Sequence, residues 1–153
     1  MSTYLFYIGI SEAIGIIAGL LSREGIQFYN EFITKPALTP PSIVFPIVWT
    51  ILYALMGISA ARIRLSTPSD EQDRGLKLFY LQLFFNFLWS IAFFNFQFFG
   101  FAFFWLLALW ILIILMIRSF LETDKLAAYL QIPYFVWVTF AAYLNLMVWL
   151  LNR

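Results

Sequence analysis

Three sets of side chains in this sequence could hold or transform a ligand, and each lies in an apolar run. Phe45, Trp49, Tyr53 and Met56 recur at helical spacing from the end of KPALTPPSIVFP onward, a stretch that carries Pro36, Pro40, Pro41 and Pro46. Gln82, Asn86 and Ser90 recur every four residues, with Trp89 and Phe93 beside them. Trp137, Ala141 and Asn145 share a face near the C-terminus, aromatic, small and polar in turn. Indole and phenol rings give flat walls for stacking, amides give a few directed hydrogen bonds, and a small residue between large ones leaves a recess. The chemistry implied is capture of a planar, mostly apolar guest. An aromatic stripe also arises from plain packing or lipid contact. An amide stripe equally serves interhelical bonding, worth about 1 kcal/mol per contact. Both readings stand on the residues alone.

Glu12 is the one carboxylate within an apolar centre. An ionisable group inside a membrane span is a functional hypothesis by default. A proton relay needs a chain of partners, and the sequence offers none, so a structural role is expected: a protonated side chain bonded to a neighbouring helix or set near a water-filled mouth.

Absences narrow the classes further. Histidine and cysteine are both missing, which removes the usual general base, the zinc and iron–sulfur ligands and the histidine axial ligand of haem. Without histidine no hydrolase triad can form, and no glycine-rich phosphate loop is present. No metal and no required cofactor are expected. With a net charge of +1 and no basic stripe, nucleic acid is not a partner.

The elements that position these groups follow from composition. The 153 residues are 63% hydrophobic and 11% charged, about half the charge of a soluble domain of that size. Five apolar runs, at roughly 4–22, 42–62, 76–96, 101–118 and 126–151, are long enough to cross a bilayer. They use most of the chain, so residues 1–153 are expected to form a single all-α integral membrane domain, a bundle of five transmembrane helices. MSTYLFYIG carries no Lys or Arg, so the first run is expected to remain as a span.

Arg62, Arg64, Arg74, Lys77, Arg118 and Lys125 fall on the side of the N-terminus, against Arg23, Lys35 and Arg153 opposite. That bias predicts a cytoplasmic N-terminus with the long first connection, residues 23–41, outside. The connection mixes aromatics with turn formers, and its prolines stiffen a cover over the bundle mouth just above Trp49. STPSDEQDRG reads as a solvated loop. Thr123 or Asp124 can cap the fifth span, and Pro133 should kink it near Gln131. Ser11, Gly15 and Gly19 on the first span, with Thr50, Ala54, Gly57 and Ala61 on the second, are small-residue stripes suited to close helix packing. Trp105 and Trp110 lie about 140° apart on the fourth span and cannot face one cavity; Trp105 is assigned inward.

KPALTPPSIVFPIVWTILYALMG, then QLFFNFLWSIAFF, then AAYLQIPYFVWVTFAAYLN, in this order, resemble the tryptophan-rich sensory protein/translocator protein family, also known as peripheral benzodiazepine receptors. The match covers about residues 30–152, and the five-span pattern extends it to the whole chain. The resemblance implies a five-helix membrane bundle, usually a homodimer, with a pocket closed by the first connection. It implies ligands that are porphyrins, haem-related tetrapyrroles or planar drug-like molecules, and, in a bacterial cell membrane, light-dependent porphyrin breakdown. By resemblance, Trp49 and Trp137 match the tryptophans tied to ligand contact and to that breakdown. Pro40 and Pro41 match the double proline of the lid and Asn86 the helix-three asparagine of the pocket. Phe45, Tyr53, Phe93 and Ala141 complete the candidate lining.

The chain departs from the family pattern at Leu38, where an aromatic is common, and at Tyr29-Asn30, where Trp-Tyr is common. Glu12 belongs to no pattern of the family. No basic residue follows Tyr143 before Arg153, so the animal sterol motif is not supported. A tetrapyrrole here would be held by stacking and amide contacts, with axial ligation left to Tyr or Met. Three functions remain open: a porphyrin-binding receptor or sensor, a photochemical porphyrin degrader in which the substrate carries the chemistry, and a transporter of tetrapyrroles or other lipophiles.

Overall fold

The computed structural model describes residues 1–153, all helices and short turns. Span one is α1 (Ser2–Leu21) and span two is α3 (Val44–Arg64). Span three is α4 (Asp70–Ser90), continued by a π-helical turn over Ile91–Asn95, and span four is α5 (Phe99–Thr123). Span five is broken at Gln131 into α6 (Lys125–Leu130) and α7 (Ile132–Leu151). Five stretches are long and apolar enough to cross a membrane. The chain is an integral membrane protein.

Two expected boundaries move. The acidic stretch before span three is not loop: Ser69 caps α4 by accepting from the Gln72 N–H, and Asp70, Glu71 and Asp73 occupy the first turn, where the helix dipole favours carboxylates. Within the first connection, to which the sequence assigns no helix, residues build α2 (Arg23–Phe32), laid across the end of the bundle.

The spans close into a ring in the order one, two, five, four, three. Small residues set the tightest seam. A Cβ on Gly57 would lie 2.4 Å from the Ile8 Cα, so α1 and α3 meet backbone to backbone there. This places the Gly57 stripe inside one chain. Span five begins just as close to span two: Ser59 donates to the Ala127 carbonyl at 2.6 Å. After the break at Gln131, with Pro133 opening α7, the span leans away from α3. Asp124 caps α6 through the Leu126 N–H and also accepts from Arg62 Nε at 2.7 Å. The gap that opens between α7 and the first half of α3 is where the aromatic stripes meet.

At the opposite end of α3, Gln72 Nε2 lies within reach of the Ile63, Arg64 and Ser66 carbonyls and closes that helix end. The first connection is fastened at both ends. Asn95 Nδ2 donates to the Leu21 carbonyl, and Gly25 fits against the Phe94 carbonyl with no room for a Cβ. At the other end Asn152 accepts from the Thr34 N–H at 3.0 Å and donates to the Thr34 carbonyl at 2.7 Å.

Candidate functional site

The aromatic stripes enclose a cavity of about 610 Å³, within the size range of small-molecule sites. Each wall follows from a helical face. Glu12, Gly15, Ile16 and Gly19 recur at i, i+3, i+4 and i+7, so one face of α1 forms one wall. Phe45, Trp49 and Tyr53 give the α3 wall, and Trp137, Ala141, Leu144 and Asn145 the α7 wall. Asn86, Trp89, Ser90, Phe93 and Phe94 form the back. The π turn at Ile91–Asn95 matters for that wall: its bond from the Phe96 N–H to the Ile91 carbonyl widens the helix and turns Phe93 and Phe94 inward. Ile26, Tyr29 and Asn30 of α2 close the end.

Trp49 and Trp137 meet edge to face, their ring centroids 6.5 Å apart at 90°. Trp49 stacks on Tyr53 at 5.5 Å, and Phe45 sets its edge on Trp137 at 5.8 Å. Below these rings lies a chain of buried polar groups. Tyr53 Oη donates to Asn86 Oδ1 at 2.6 Å, Asn86 Nδ2 donates to Tyr134 Oη at 2.9 Å, and Tyr134 Oη donates to Gln82 Oε1 at 2.7 Å. Gln82 Nε2 ends the chain on Met56 Sδ at 3.9 Å. The helix-three amides thus face the interior, and Gln82 and Asn86 serve interhelical bonding, holding Tyr53 at the floor and the fully buried Tyr134 behind it. Trp89 Nε1 donates to Asn145 Oδ1 at 3.0 Å, and Asn145 Nδ2 donates to the Phe99 carbonyl at 2.8 Å, which fixes the back wall.

Of the residues expected in the site, Phe45, Trp49, Tyr53, Asn86, Phe93, Trp137 and Ala141 line this one cavity. Pro40 and Pro41 do not. The chain reaches the cavity at Ser42, Ile43 and Pro46, while the double proline shapes the approach, its Pro41 carbonyl accepting from the Val44 N–H. Trp105 also lies elsewhere. Its ring stacks on Phe85 at 4.2 Å and its indole donates to the Phe85 carbonyl at 2.9 Å, on the seam between α4 and α5. Trp110 donates to Thr139 Oγ1, outside the cavity too.

Sequence reasoning missed the α1 and α2 walls. Gly15 and Gly19 were read as packing positions, yet both border the cavity. A Cβ on Gly15 would strike the Tyr53 ring at 2.5 Å, so glycine there makes room for the floor, whereas one on Gly19 would meet nothing within 4 Å. In α2 the detectable signal was Ile26 and Tyr29 at i and i+3, on the inward face of a short amphipathic helix that ends before Ile33. Tyr29 packs on Phe93 at 5.5 Å beneath the Lys35 ammonium, and burial pushes its phenol up to about 12.

No three of the Asp and Glu side chains gather into a metal-ligand set. Tyr53 Oη is committed to Asn86 and Met56 Sδ to Gln82, which leaves Tyr29 as the wall tyrosine without a hydrogen-bond partner. The arrangement can stack, enclose and orient a flat guest. It holds no pair of groups arranged for acid–base catalysis.

The family model described as TspO/MBR matches residues 7–150. A relative named tryptophan-rich protein TspO, from Chlorobaculum tepidum, is 36% identical over 152 residues, covering 98% of this chain and 96% of its own. One of the same name from Archaeoglobus fulgidus is 36% identical over 140 residues, covering 92% and 90%. The pig (Sus scrofa) translocator protein is 31% identical over 132 residues, covering 85% of this chain and 78% of its own.

Proposed function

The chain belongs to the TspO/MBR family, and from that premise we propose that it is a membrane receptor for porphyrins and other planar, largely apolar molecules. The observation that carries the reading is the convergence of Trp49 and Trp137, 6.5 Å apart, on a cavity of about 610 Å³. Rings meeting at right angles present two faces and an edge to a guest, and offset or edge-on contact is what aromatic pairs prefer. The amides of Asn86 and Asn145 are spent within the protein, so recognition rests on shape and stacking, with the Asn30 amide and the indole N–H groups of Trp49 and Trp137 free to donate. Trp89, Trp105 and Trp110 have already spent theirs.

Light adds a second activity to the same site. A bound porphyrin excited beside Trp49 and Trp137 passes energy to oxygen, and the enclosure confines the reactive product. The porphyrin supplies the photochemistry and the protein positions it. Transport ranks below both readings, because the break at Gln131 has no counterpart in a repeated half.

The test is a titration of the detergent-purified protein with protoporphyrin IX in the dark, read by tryptophan quenching and by the porphyrin absorbance band. Trp49→Ala and Trp137→Ala should each weaken binding about tenfold or more. Unchanged affinity in the double variant overturns the reading. Illuminating the same samples then separates holding from breakdown: loss of absorbance no faster than for free porphyrin in detergent removes the photochemical activity alone.

A further inference from the structure

The cavity wall carries one charged residue, Glu12, and no lysine or arginine. Glu12 makes no hydrogen bond and joins neither ion pair of the chain, which are Arg62–Asp124 and Glu71–Arg74. It sits one helical turn from Gly15, whose missing Cβ is what allows the Tyr53 ring to lie against α1. The carboxyl therefore borders the aromatic floor. At the α2 end neither Arg23 nor Lys35 lines the cavity; the Lys35 ammonium donates to the Asn30 and Ile33 carbonyls and sits 4.9 Å above the Tyr29 ring.

An ionisable group in a span is expensive and is normally matched by a partner of opposite sign. None exists here within the protein. The surrounding groups favour the same kind of partner, because the faces of Trp49, Tyr53 and Trp137 attract cations. The other polar side chains of the wall, Asn30, Ser42, Thr50, Asn86, Ser90 and Asn145, are all uncharged. Asn86 and Asn145 have both ends of their amides committed, and Thr50 Oγ1 donates to the Pro46 carbonyl.

We infer that Glu12 is the counter-ion of a cationic subsite, so that the cavity selects flat aromatic molecules bearing an ammonium group over neutral or anionic ones of the same shape. The inference rests on the cavity being a ligand site, as proposed above. It adds a sign to a recognition otherwise governed by shape. A dianionic porphyrin fits only with its carboxylates turned away from α1, whereas an aromatic amine places its charge at the carboxyl and its rings between the indoles.

Three probes of nearly one shape test this: 1-pyrenemethylamine as its ammonium, 1-pyrenemethanol and 1-pyrenecarboxylate. Each is titrated at pH 7 in uncharged maltoside micelles, with partition into empty micelles subtracted and tryptophan quenching as the readout. The ammonium should bind at least tenfold tighter than the alcohol, and the carboxylate should bind weakest. Glu12→Gln should abolish the preference for the ammonium and tighten the carboxylate, while the alcohol stays within twofold and so reports an intact cavity. Glu12→Asp should keep the preference. Equal binding of ammonium and alcohol by the wild-type protein, or an unchanged ratio in Glu12→Gln, overturns the inference and leaves the cavity reading standing. Failure of all three probes to bind removes both.

Discussion

Replacing Asn86 by leucine tests the floor of the cavity most directly. The side chain has nearly the same shape, so the change removes two hydrogen bonds with little loss of packing. Tyr53 Oη loses its acceptor at 2.6 Å, and Tyr134 Oη loses a donor at 2.9 Å while keeping its bond to Gln82 at 2.7 Å. A buried donor left unmatched costs about 1–3 kcal/mol. Tyr53 borders the cavity, where water can partly replace the amide, so its share is placed near 1 kcal/mol. The loss at the fully buried Tyr134 adds about 1 kcal/mol. The expected total is about 2 kcal/mol, close to a thirtyfold fall in the ratio of folded to unfolded protein.

Reversible unfolding in dodecyl sulfate, followed by tryptophan fluorescence, measures that loss. A cycle with Tyr53→Phe isolates the first bond: in membrane proteins such couplings average about 0.6 and reach about 1.7 kcal/mol, and a bond of 2.6 Å should lie in the upper half. Asn86→Leu should also weaken protoporphyrin binding, because Tyr53 carries the stacked Trp49 at 5.5 Å. A coupling of zero, or a total loss below about 0.5 kcal/mol as for an ordinary surface change, would refute the claim that this amide holds the floor.

Glycines of one type should separate by place: Gly57→Ala, with its Cβ 2.4 Å from the Ile8 Cα, should cost about 1–3 kcal/mol, whereas Gly19→Ala should cost nothing measurable. Gly19→Leu should fill part of the cavity and lower protoporphyrin affinity at unchanged thermal midpoint, read by the same titration. Trp105→Phe should lose about 1 kcal/mol with its bond to the Phe85 carbonyl and leave ligand affinity within twofold, since its ring lies on the α4–α5 seam. Asp124→Ala should lose both the cap on Leu126 and the partly exposed pair with Arg62, about 1–2 kcal/mol by dodecyl sulfate unfolding, and Asp124→Asn, which keeps the cap, about half of that.

The five spans were legible because twenty apolar residues in a row have few other uses, and the break in span five because Pro133 cannot supply a backbone N–H. Phe45, Trp49 and Tyr53 could be placed on one face by spacing, and the amide stripe by the cost of leaving Asn86 against lipid. Trp105 could not. Its helix is apolar all round, so period alone gives no inward direction, and a carbonyl on the neighbouring helix decided the ring's place. The double proline was read as a cap on the cavity because stiffness marks a segment as shaped without saying which of its residues reach inward. Residues 42–46 do the reaching. The acidic start of α4 was hidden because carboxylates suit a solvated loop and a first helical turn equally well. The α1 wall was hidden because glycine serves a tight seam and an open space with the same letter. Only the neighbouring helix distinguishes Gly57, pressed against Ile8, from Gly19, which faces a void.

The paired contacts of Asn152 with the Thr34 backbone make the residues just after α7 a clasp for the segment covering the cavity. A purification handle or fluorescent fusion joined directly at Arg153 pulls on that clasp, and proteolysis after Leu151 undoes it. Ligand affinities obtained from tagged and untagged preparations therefore compare fairly only when a flexible spacer separates the handle from the last helix.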